Sequence, residues 1–294
     1  MRAEIERAVE LLRDGNDARV EQALALLQNT VFSFSMRVCG QREDAEDTMQ
    51  EVLLKSIPQL PNFDNPKALV VWLYKVAKSR CLMNRRKSKF APKRELSLEE
   101  LMPDRKELEQ LTADGRVNPE AFAIRSEQAS RLREAVQKLP PQYRIVLVLR
   151  DMEGLTDDEV AEITGVRAGT VRVRLHRARL FVRKELMRTW MAGIGRKVRL
   201  QWRPQQGSRP ARCKAMLAEL SDYLDEHLDD SLCEELERHM TGCKPCQAFV
   251  ATLKATIEQC RKAARDCPRP DAGKLRRELM EKYEQLNAAL RSHS

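Results

Sequence analysis

The residues with the clearest chemical signature lie near the carboxyl-terminal end of the chain, in the segment HMTGCKPC. There His239 is followed by Cys243 at a spacing of four and by Cys246 three residues later. Imidazole nitrogens and closely spaced thiolates are the ligands that Zn²⁺ prefers in proteins. A tetrahedral site needs a fourth ligand, and Cys213 and Cys233 are the upstream candidates. One histidine with three thiolates leaves no position open for water, so the pattern predicts a structural or sensory zinc site rather than a catalytic one.

A second chemical feature is a run of positive charge in the middle of the chain. The segment 167–184 contains seven Lys or Arg and no acid. A solvated helix face usually mixes both signs, whereas a helix in the major groove needs cations for phosphates and donors for base edges. We therefore predict DNA binding here. The candidate contacts are Arg167, Thr170, Arg172, Arg174 and Arg177.

The elements that would position this run have the pattern of a helix-turn-helix. Thr156 precedes three acids and has Glu159 in the capping-box position, which marks the start of a helix. Gly165 can end that helix with a positive φ, and Thr170 can cap the next one. Two short helices joined by a turn that contains Gly are the elements of this motif.

The amino-terminal part of the chain carries an acidic segment followed by a basic one. Five Asp or Glu fall within residues 43–51, and ten Lys or Arg with no acid fall within 65–94. Trp72 and Tyr74 lie inside the basic segment, and a basic helix with aromatic rings suits nucleic acid, including unpaired bases. For Trp72 a place in the core is an equal alternative. The acidic helix would repel DNA, so a basic protein partner is expected for it.

Composition restricts the class of protein. The chain has 294 residues, a formal net charge of +9, 33% charged residues and only 5% aromatic ones, which favours helices over a β-sandwich or barrel. It lacks a long apolar run and a secretory leader, so a cytoplasmic protein without a membrane contact is expected. The eight Cys are then metal ligands or reduced thiols before they are disulfides, and Cys39 and Cys81 are expected in the core.

Helical periodicity runs through nearly all of the chain, and even the apolar stretch 145–149 is interpreted as a buried helix turn. The fold class is therefore all-α. Segments rich in Gly and Pro or poor in apolar residues separate three helical blocks. We predict a first domain at residues 1–94, an acidic linker at 95–128, a helix-turn-helix domain at 129–188, a basic linker at 189–212 and a Cys-rich domain at 213–294.

Two stretches resemble a known family. DAEDTMQEVLLKSI with WLYKVAKSRCLMNRRK resembles region 2 of the extracytoplasmic-function (ECF) sigma factors of bacterial RNA polymerase, and LPPQYRIVLVLRDMEGLTDDEVAEITGVRAGTVRVRLHRAR resembles their region 4. The resemblance implies a region 2 bundle that docks on the clamp helices of the largest subunit of core RNA polymerase. It also implies partners in double-stranded and locally melted promoter DNA, with region 2 opening the minus-ten element and region 4 reading the minus-thirty-five element.

The resemblance also implies roles for particular residues. The polymerase-docking helix would carry Asp44, Glu46, Asp47, Gln50, Glu51 and Leu54. The loop that captures a flipped minus-ten base would offer Asn62 and Asn65, since amide side chains can pair with base edges. That loop ends at the DNA-binding candidate Lys67, and phosphates would be held by Lys75, Lys78, Arg80, Arg85 and Arg86.

The third block, from Cys213 onward, resembles the zinc-binding domain of anti-sigma factors. In that family a Cys opens the first helix, so the resemblance selects Cys213, His239, Cys243 and Cys246 as the zinc ligands. Cys233, Cys260 and Cys267 receive no role. A linker of about 25 residues would hold this small helical domain near the sigma domains at an effective concentration of order mM. We therefore expect an intramolecular contact that regulates the sigma domains in cis.

A stand-alone helix-turn-helix regulator with a zinc or redox sensor is the alternative, but it has no use for the acidic docking helix. An enzyme is not expected, because the sequence has no phosphate-binding loop, no nucleophile motif and no open zinc site.

Overall fold

The structure is a computed structural model, and helices are its regular elements, as predicted. It describes residues 2–13, 17–57, 65–86, 95–103, 127–193, 219–220, 222–263 and 273–292, together with positions 59, 63, 107 and 270. Within these ranges it contains no β-strand, so the predicted all-α class is confirmed. None of the helices in these ranges combines the length and hydropathy that a membrane span requires.

The chain forms two compact units, each assembled from separate stretches of sequence. The first contains residues 1–92, 148–168 and 264–294, and the second contains 93–147 and 169–263. These units are not the domains predicted from the sequence, whose boundaries stay a prediction.

The first unit is built on a bundle of four amino-terminal helices, joined by a π-helical turn and two further helices. Their bounds are α1 Arg2–Arg13, α2 Asp17–Cys39, α3 Arg42–Ser56, α4 Pro66–Arg86, the π-helical turn Val148–Met152, α8 Asp157–Thr164 and α12 Gly273–Ser292. The core lies between α2, α3 and α4, where Phe34 and Tyr74 meet edge to face with ring centroids 4.8 Å apart. Leu24, Met49 and Leu53 are almost fully buried beside them.

A disulfide within this bundle corrects an expectation from the sequence. Cys39 and Cys81 are buried, as predicted, but they are paired with each other rather than present as reduced thiols. Cys39 ends α2 and Cys81 lies on α4, with their Cα atoms 5.5 Å apart. Helical packing brought together two cysteines that are 42 residues apart in sequence, which no local pattern could show.

The second unit is formed by the remaining helices. Their bounds are α5 Leu98–Leu101, α6 Glu127–Lys138, α7 Pro141–Leu147, α9 Ala168–Gly193, α10 Asp230–Gly242 and α11 Lys244–Ala263. The residues predicted as a buried helix turn, 145–149, are all buried, and they lie on α7 and the π-helical turn that continues it. That prediction is confirmed.

A fully buried arginine closes the junction between α6 and α7. The Arg144 guanidinium donates hydrogen bonds to the carbonyl oxygens of Val136, at 3.0 Å, and Leu139, at 2.8 Å, and to Gln137. The Val136 and Gln137 carbonyls lie in the last turn of α6, where the helix dipole makes a cation favourable.

The first part of the predicted acidic linker belongs to the second unit. Leu96, Leu101 and Met102 are buried, and α5 is helical, as expected for a partly helical linker. The Lys184 ammonium on α9 donates a 2.7 Å hydrogen bond to the Glu100 carbonyl oxygen. Residues 104–106 and 108–126 lie outside the described part of the chain.

Candidate nucleic-acid interface and metal centre

Helix α3 presents an acidic face. Its inner side buries Ala45, Thr48, Met49, Val52, Leu53 and Ser56. All six predicted polymerase-docking residues lie on this helix and are exposed or half-buried. The outer face of α3 is therefore open to a partner over most of its length.

Part of the charge on α3 is already paired within the first unit. Glu46 accepts a 2.8 Å hydrogen bond from Arg42, and Glu51 contacts Lys55 at 2.7 Å and Arg80 at 2.6 Å. The hydrogen bond from Lys55 and the nearby Arg80 guanidinium lower the pKa of the Glu51 carboxyl. The predicted phosphate contact Arg80 is thus turned toward an acid of the predicted polymerase face.

Helix α4 carries the predicted phosphate-binding residues that the structure describes. Lys67 is exposed, whereas Lys75, Lys78 and Arg80 are half-buried. Burial and the neighbouring Lys75 ammonium lower the pKa of Lys78. Arg85 lies at the end of α4 with its side chain outside the described residues, and the same holds for Arg86.

The aromatic residues of α4 differ in what they can contact. Tyr74 is 2% exposed and sits in the core, so it cannot stack on a base in this structure, contrary to the expectation for this segment. Trp72 is half-buried and its ring centroid is 5.8 Å from that of Phe63. Asn65 is exposed, and its side-chain oxygen accepts a 2.8 Å hydrogen bond from the Ala68 amide, which caps α4. Asn62 lies outside the described residues.

The local signals of the helix-turn-helix are present as predicted. Thr156 and Glu159 form a reciprocal capping box at the start of α8. Gly165 ends α8 with φ of 74° and donates its amide to the Ala161 carbonyl oxygen at 2.8 Å. One boundary was wrong: α9 begins at Ala168, so Thr170 lies exposed in its first turn and is not its cap. The turn needs only residues 165–167.

The predicted DNA contacts of the helix-turn-helix lie at the amino-terminal end of α9 and in the turn before it. Arg167, Thr170 and Arg172 are exposed, and Arg174 and Arg177 are half-buried. All five predicted minus-thirty-five contacts therefore present side chains at this end. Val173 is 51% exposed between them. The amino-terminal residues of a recognition helix are those that reach base edges.

Two arginines of the same run are buried and point elsewhere. The Arg179 guanidinium makes two hydrogen bonds with the Asp225 carboxylate, at 2.6 and 3.0 Å, and its side chain is 1% exposed. Arg183 donates to the Thr252 hydroxyl at 2.7 Å and lies 3.8 Å from the centroid of the Phe249 ring. The cationic pattern of residues 167–184 had placed both arginines in the segment predicted to face DNA. The structure instead joins them to the Cys-rich segment.

His176 lies beside this contact and is 7% exposed. Neither ring nitrogen has a hydrogen-bond partner among the described residues. Burial, followed by the positive charges of Arg179 and Arg177, lowers the pKa of His176 from 6.5 to about 4, although Asp225 acts in the opposite direction. The imidazole is therefore neutral at pH 7.

This histidine should make stability depend on pH. Its pKa is lower in the folded chain than in the unfolded chain, so its stabilising effect is complete above pH 6.5 and is lost as the pH falls toward 4. Between pH 7 and 5 the free energy of unfolding should fall by about 2 kcal/mol through this group. Urea titrations at several pH values measure how far the free energy of unfolding falls between pH 7 and 5. In His176→Leu we expect this fall to be smaller by that amount. His227→Gln, at an exposed histidine, is the control; an equal fall in both variants would contradict the assignment.

The predicted metal ligands converge where α10 meets α11. One ligand atom each from His239, Cys243 and Cys246 lies within 4.8 Å of the others, and the His239 Nε2 atom is 3.3 Å from the Cys246 sulfur. Cys243 stands between the two helices, with its amide donating to the Met240 carbonyl oxygen. This donor set and its spacing fit Zn²⁺. Cys213 lies outside the described residues, and Cys233 and Cys260, which form no disulfide, do not belong to the group.

The carboxyl-terminal helix α12 lies against α2 and α3 in the first unit. Its Leu275 and Leu279 are buried. The Arg276 guanidinium donates to the Gln28 side-chain oxygen at 3.3 Å and lies 3.9 Å from Glu21. Helix α3, which carries the predicted polymerase face, and its neighbour α2 thus both contact α12.

Comparisons with known proteins match three parts of the chain. A family model of Sigma-70 region 2 matches residues 24–90, one of Sigma-70 region 4 matches residues 129–182, and one of a zinc finger matches residues 213–247. ECF RNA polymerase sigma factor SigW of Bacillus subtilis (strain 168) is 28% identical over 183 residues, which cover 62% of this chain and 96% of the relative. ECF RNA polymerase sigma factor SigE of Mycolicibacterium smegmatis is 31% identical over 157 residues, which cover 53% of this chain and 57% of the relative.

A solved structure is also similar, at a low level. It is the complex of sigma factor RpoE with anti-sigma factor NepR from Bartonella quintana, with 20% identity and a TM-score of 0.41. The match covers 56% of this chain and 95% of the solved one.

Proposed function

We propose that this chain, an ECF sigma factor in which a zinc-finger segment follows sigma regions 2 and 4, directs promoter-specific initiation and is restrained in cis by that segment. The observation that carries the restraint is the buried, two-bonded pair between Arg179 of α9 and Asp225. The protein acts by binding polymerase and promoter DNA and has no catalytic step of its own.

The outer face of α3 is the surface for core RNA polymerase. Asp47 and Gln50 are exposed at its centre, with half-buried Glu46, Glu51 and Leu54 around them. A positively charged helical surface, which we take to be the clamp helices, complements these carboxylates. Such complementarity raises the association rate and fixes the orientation more than it adds affinity.

Promoter DNA is contacted through two separate cationic surfaces. Lys67, Lys75 and Lys78 on α4 bind phosphates near the minus-ten element, and Asn65 at the start of α4 approaches the displaced strand. Arg167 in the turn before α9 and Thr170, Arg172, Arg174 and Arg177 on α9 meet the minus-thirty-five element. Phosphate contacts of this kind make affinity fall steeply with salt.

The zinc-finger segment holds one zinc ion through Cys213, His239, Cys243 and Cys246. The three described ligands lie together, and Cys213 lies within the matched residues 213–247. Zinc would bind the thiolates and imidazole together and so fix the junction between α10 and α11. This junction orients Phe249 and Thr252 on α11, which hold Arg183.

The carboxyl-terminal part of the chain contacts the helices that carry both proposed surfaces. Asp225, Phe249 and Thr252 bind the buried arginines of α9, and α12 lies on α2 and α3. The restraint therefore has two parts. One part holds the recognition helix, and the other lies next to the polymerase face.

Transcription by the full chain and by a chain that ends at Arg188 tests this function. Core RNA polymerase is loaded with each protein and run-off transcripts from a promoter library are counted. Both proteins should initiate, and the shortened one should be at least about tenfold more active at limiting concentration, since a tethered inhibitor acts at an effective concentration of order mM.

Two results would contradict the proposal in different ways. If neither protein supports initiation or is captured by core polymerase, the sigma function is wrong. If both are equally active, with and without chelation of zinc, the restraint is wrong and the segment only adds stability. Circular dichroism of the shortened chain shows whether it is folded, and metal analysis of the full chain counts the zinc.

A further inference from the structure

An apolar side chain lies in the middle of the predicted DNA contacts of α9. Val173 is 51% exposed, whereas Val171 and Leu175 on the same helix are 0% and 1% exposed. Because an α-helix has 3.6 residues per turn, a residue two positions from both of these lies on the opposite side of the helix. Val173 therefore points away from the core of the second unit. It is the most exposed large apolar side chain in the part of the chain that the structure describes.

Cations lie on both sides of this valine. Arg172 is exposed and Arg174 is half-buried, and each is displaced from Val173 by about 100° around the helix. A single exposed valine on a solvated face needs no explanation. Between two arginines its position is different, because a duplex that is held by its phosphates presents its base edges to the residues that lie between the phosphate contacts.

Gly169 leaves space open beside Val173. It lies four positions before Val173, on the same face of α9, and side chains in a helix lean toward its amino-terminal end, so the Val173 methyl groups lie over Gly169. Gly169 is exposed, and a Cβ atom added to it would meet no other part of the described chain within 4 Å. Packing thus gives no reason for a glycine, which is a poor helix former. Close approach of a partner to the helix backbone does.

The base that fits this apolar position is thymine. In the major groove it is the base that presents a C5-methyl group, and side chains recognise that group by apolar contact. The arginine donors can pair with guanine or with phosphates, but they give no preference for a methyl group. A preference for thymine at the centre of the contact surface therefore needs an apolar side chain, and Val173 is in the place to supply it.

We infer that Val173 reads the methyl group of a thymine in the minus-thirty-five element, and that Gly169 lets the duplex come close enough for this contact. Val173 is then a specificity-determining residue of this chain. The inference rests on the proposed sigma function. The five predicted polar contacts decide where the helix binds, whereas Val173 decides the identity of one base that it accepts.

Transcription from chemically altered promoters measures this contact. Holoenzyme made with the full chain is given a promoter library with a randomised minus-thirty-five element, and the selected sequences should share at least one thymine. Each selected thymine is then replaced in a synthetic promoter by deoxyuridine, which lacks only the methyl group. At one position the run-off transcript should fall about fourfold at limiting protein, which is the effect expected from the loss of one buried methyl group.

Val173→Ala and Leu232→Ala form a matched pair of variants. Leu232 is a 37% exposed apolar residue on α10, and alanine is the best helix former, so both variants should fold. Val173→Ala should make little distinction between thymine and deoxyuridine at the sensitive position, while Leu232→Ala should keep the wild-type response. The ratio of transcripts from the two promoters cancels any change in overall activity.

Gly169→Ala should separate stability from DNA binding. The added methyl group meets nothing else in the described chain, and alanine restricts the unfolded chain more than glycine does, so the urea midpoint should rise slightly. The run-off transcript should nevertheless fall several-fold, because the new Cβ atom occupies space that the duplex needs. A glycine with a merely structural role would lose stability and transcript together.

The outcomes separate this inference from the proposed function. An equal response to deoxyuridine in wild type and Val173→Ala, or no response at any selected thymine, would overturn the reading of a methyl group by Val173. Full transcription by Gly169→Ala would overturn the close approach at Gly169. If no variant initiates and core polymerase captures none of them, the sigma function itself is wrong, and the inference falls with it.

Discussion

Asp225→Ala should destabilise the second unit by about 3–5 kcal/mol, because it removes the carboxylate that makes two hydrogen bonds with the buried Arg179 guanidinium. The two side chains are 1% and 6% exposed, so solvent cannot replace the lost carboxylate unless the zinc-finger segment moves away from α9. We therefore expect a lower urea midpoint and, in transcription, a gain in activity. The gain follows because the segment that restrains α9 is released.

Matched variants decide whether this effect belongs to the pair. Glu235→Ala removes an exposed acid from α10 of the same segment and should change the urea midpoint very little. The double substitution Arg179→Leu with Asp225→Leu replaces both charges by apolar groups and should recover most of the lost stability. A midpoint of Asp225→Ala equal to that of Glu235→Ala would show that the pair does not hold the segment.

The features that sequence predicts well are those determined by neighbouring residues. The capping box at Thr156, the positive φ of Gly165 and the convergence of His239, Cys243 and Cys246 each depend on spacings of seven residues or fewer. Such short segments fold in much the same way wherever they occur. Helical periodicity likewise predicted the all-α class.

The features that were missed depend on long-range packing. Arg179 and Arg183 are chemically the same as Arg172 and Arg174, and they differ in their distant partners, which are Asp225 for Arg179 and Thr252 and Glu107 for Arg183. Asp225 lies 46 residues from its partner, and the basic linker between them carries no signal for the pairing. A run of cations without acids predicts a partner of opposite charge. It does not show that an acid of the same chain pairs with one of those cations.

Reduction of the Cys39–Cys81 disulfide should lower the free energy of unfolding of the first unit by about 4 kcal/mol. The bond closes a loop of 42 residues, and removing it returns to the unfolded chain the conformational freedom that this loop had lost. The native packing should change little, because both side chains stay in the core beside the Thr48 hydroxyl, 4.0 and 3.9 Å from the two sulfur atoms.

Oxidised and reduced full-length protein are compared by urea titration after mass spectrometry has confirmed the state of the two cysteines. Cys233→Ala, at a free half-buried thiol outside the metal group, should show the same difference between the two states as the wild type. Cys39→Ala with Cys81→Ala should show none. Equal midpoints for oxidised and reduced wild type would mean that the bond adds no stability. A fall of the expected size would instead show that the bundle carrying α3 and α4 depends on a covalent link between α2 and α4, although its core is otherwise well packed.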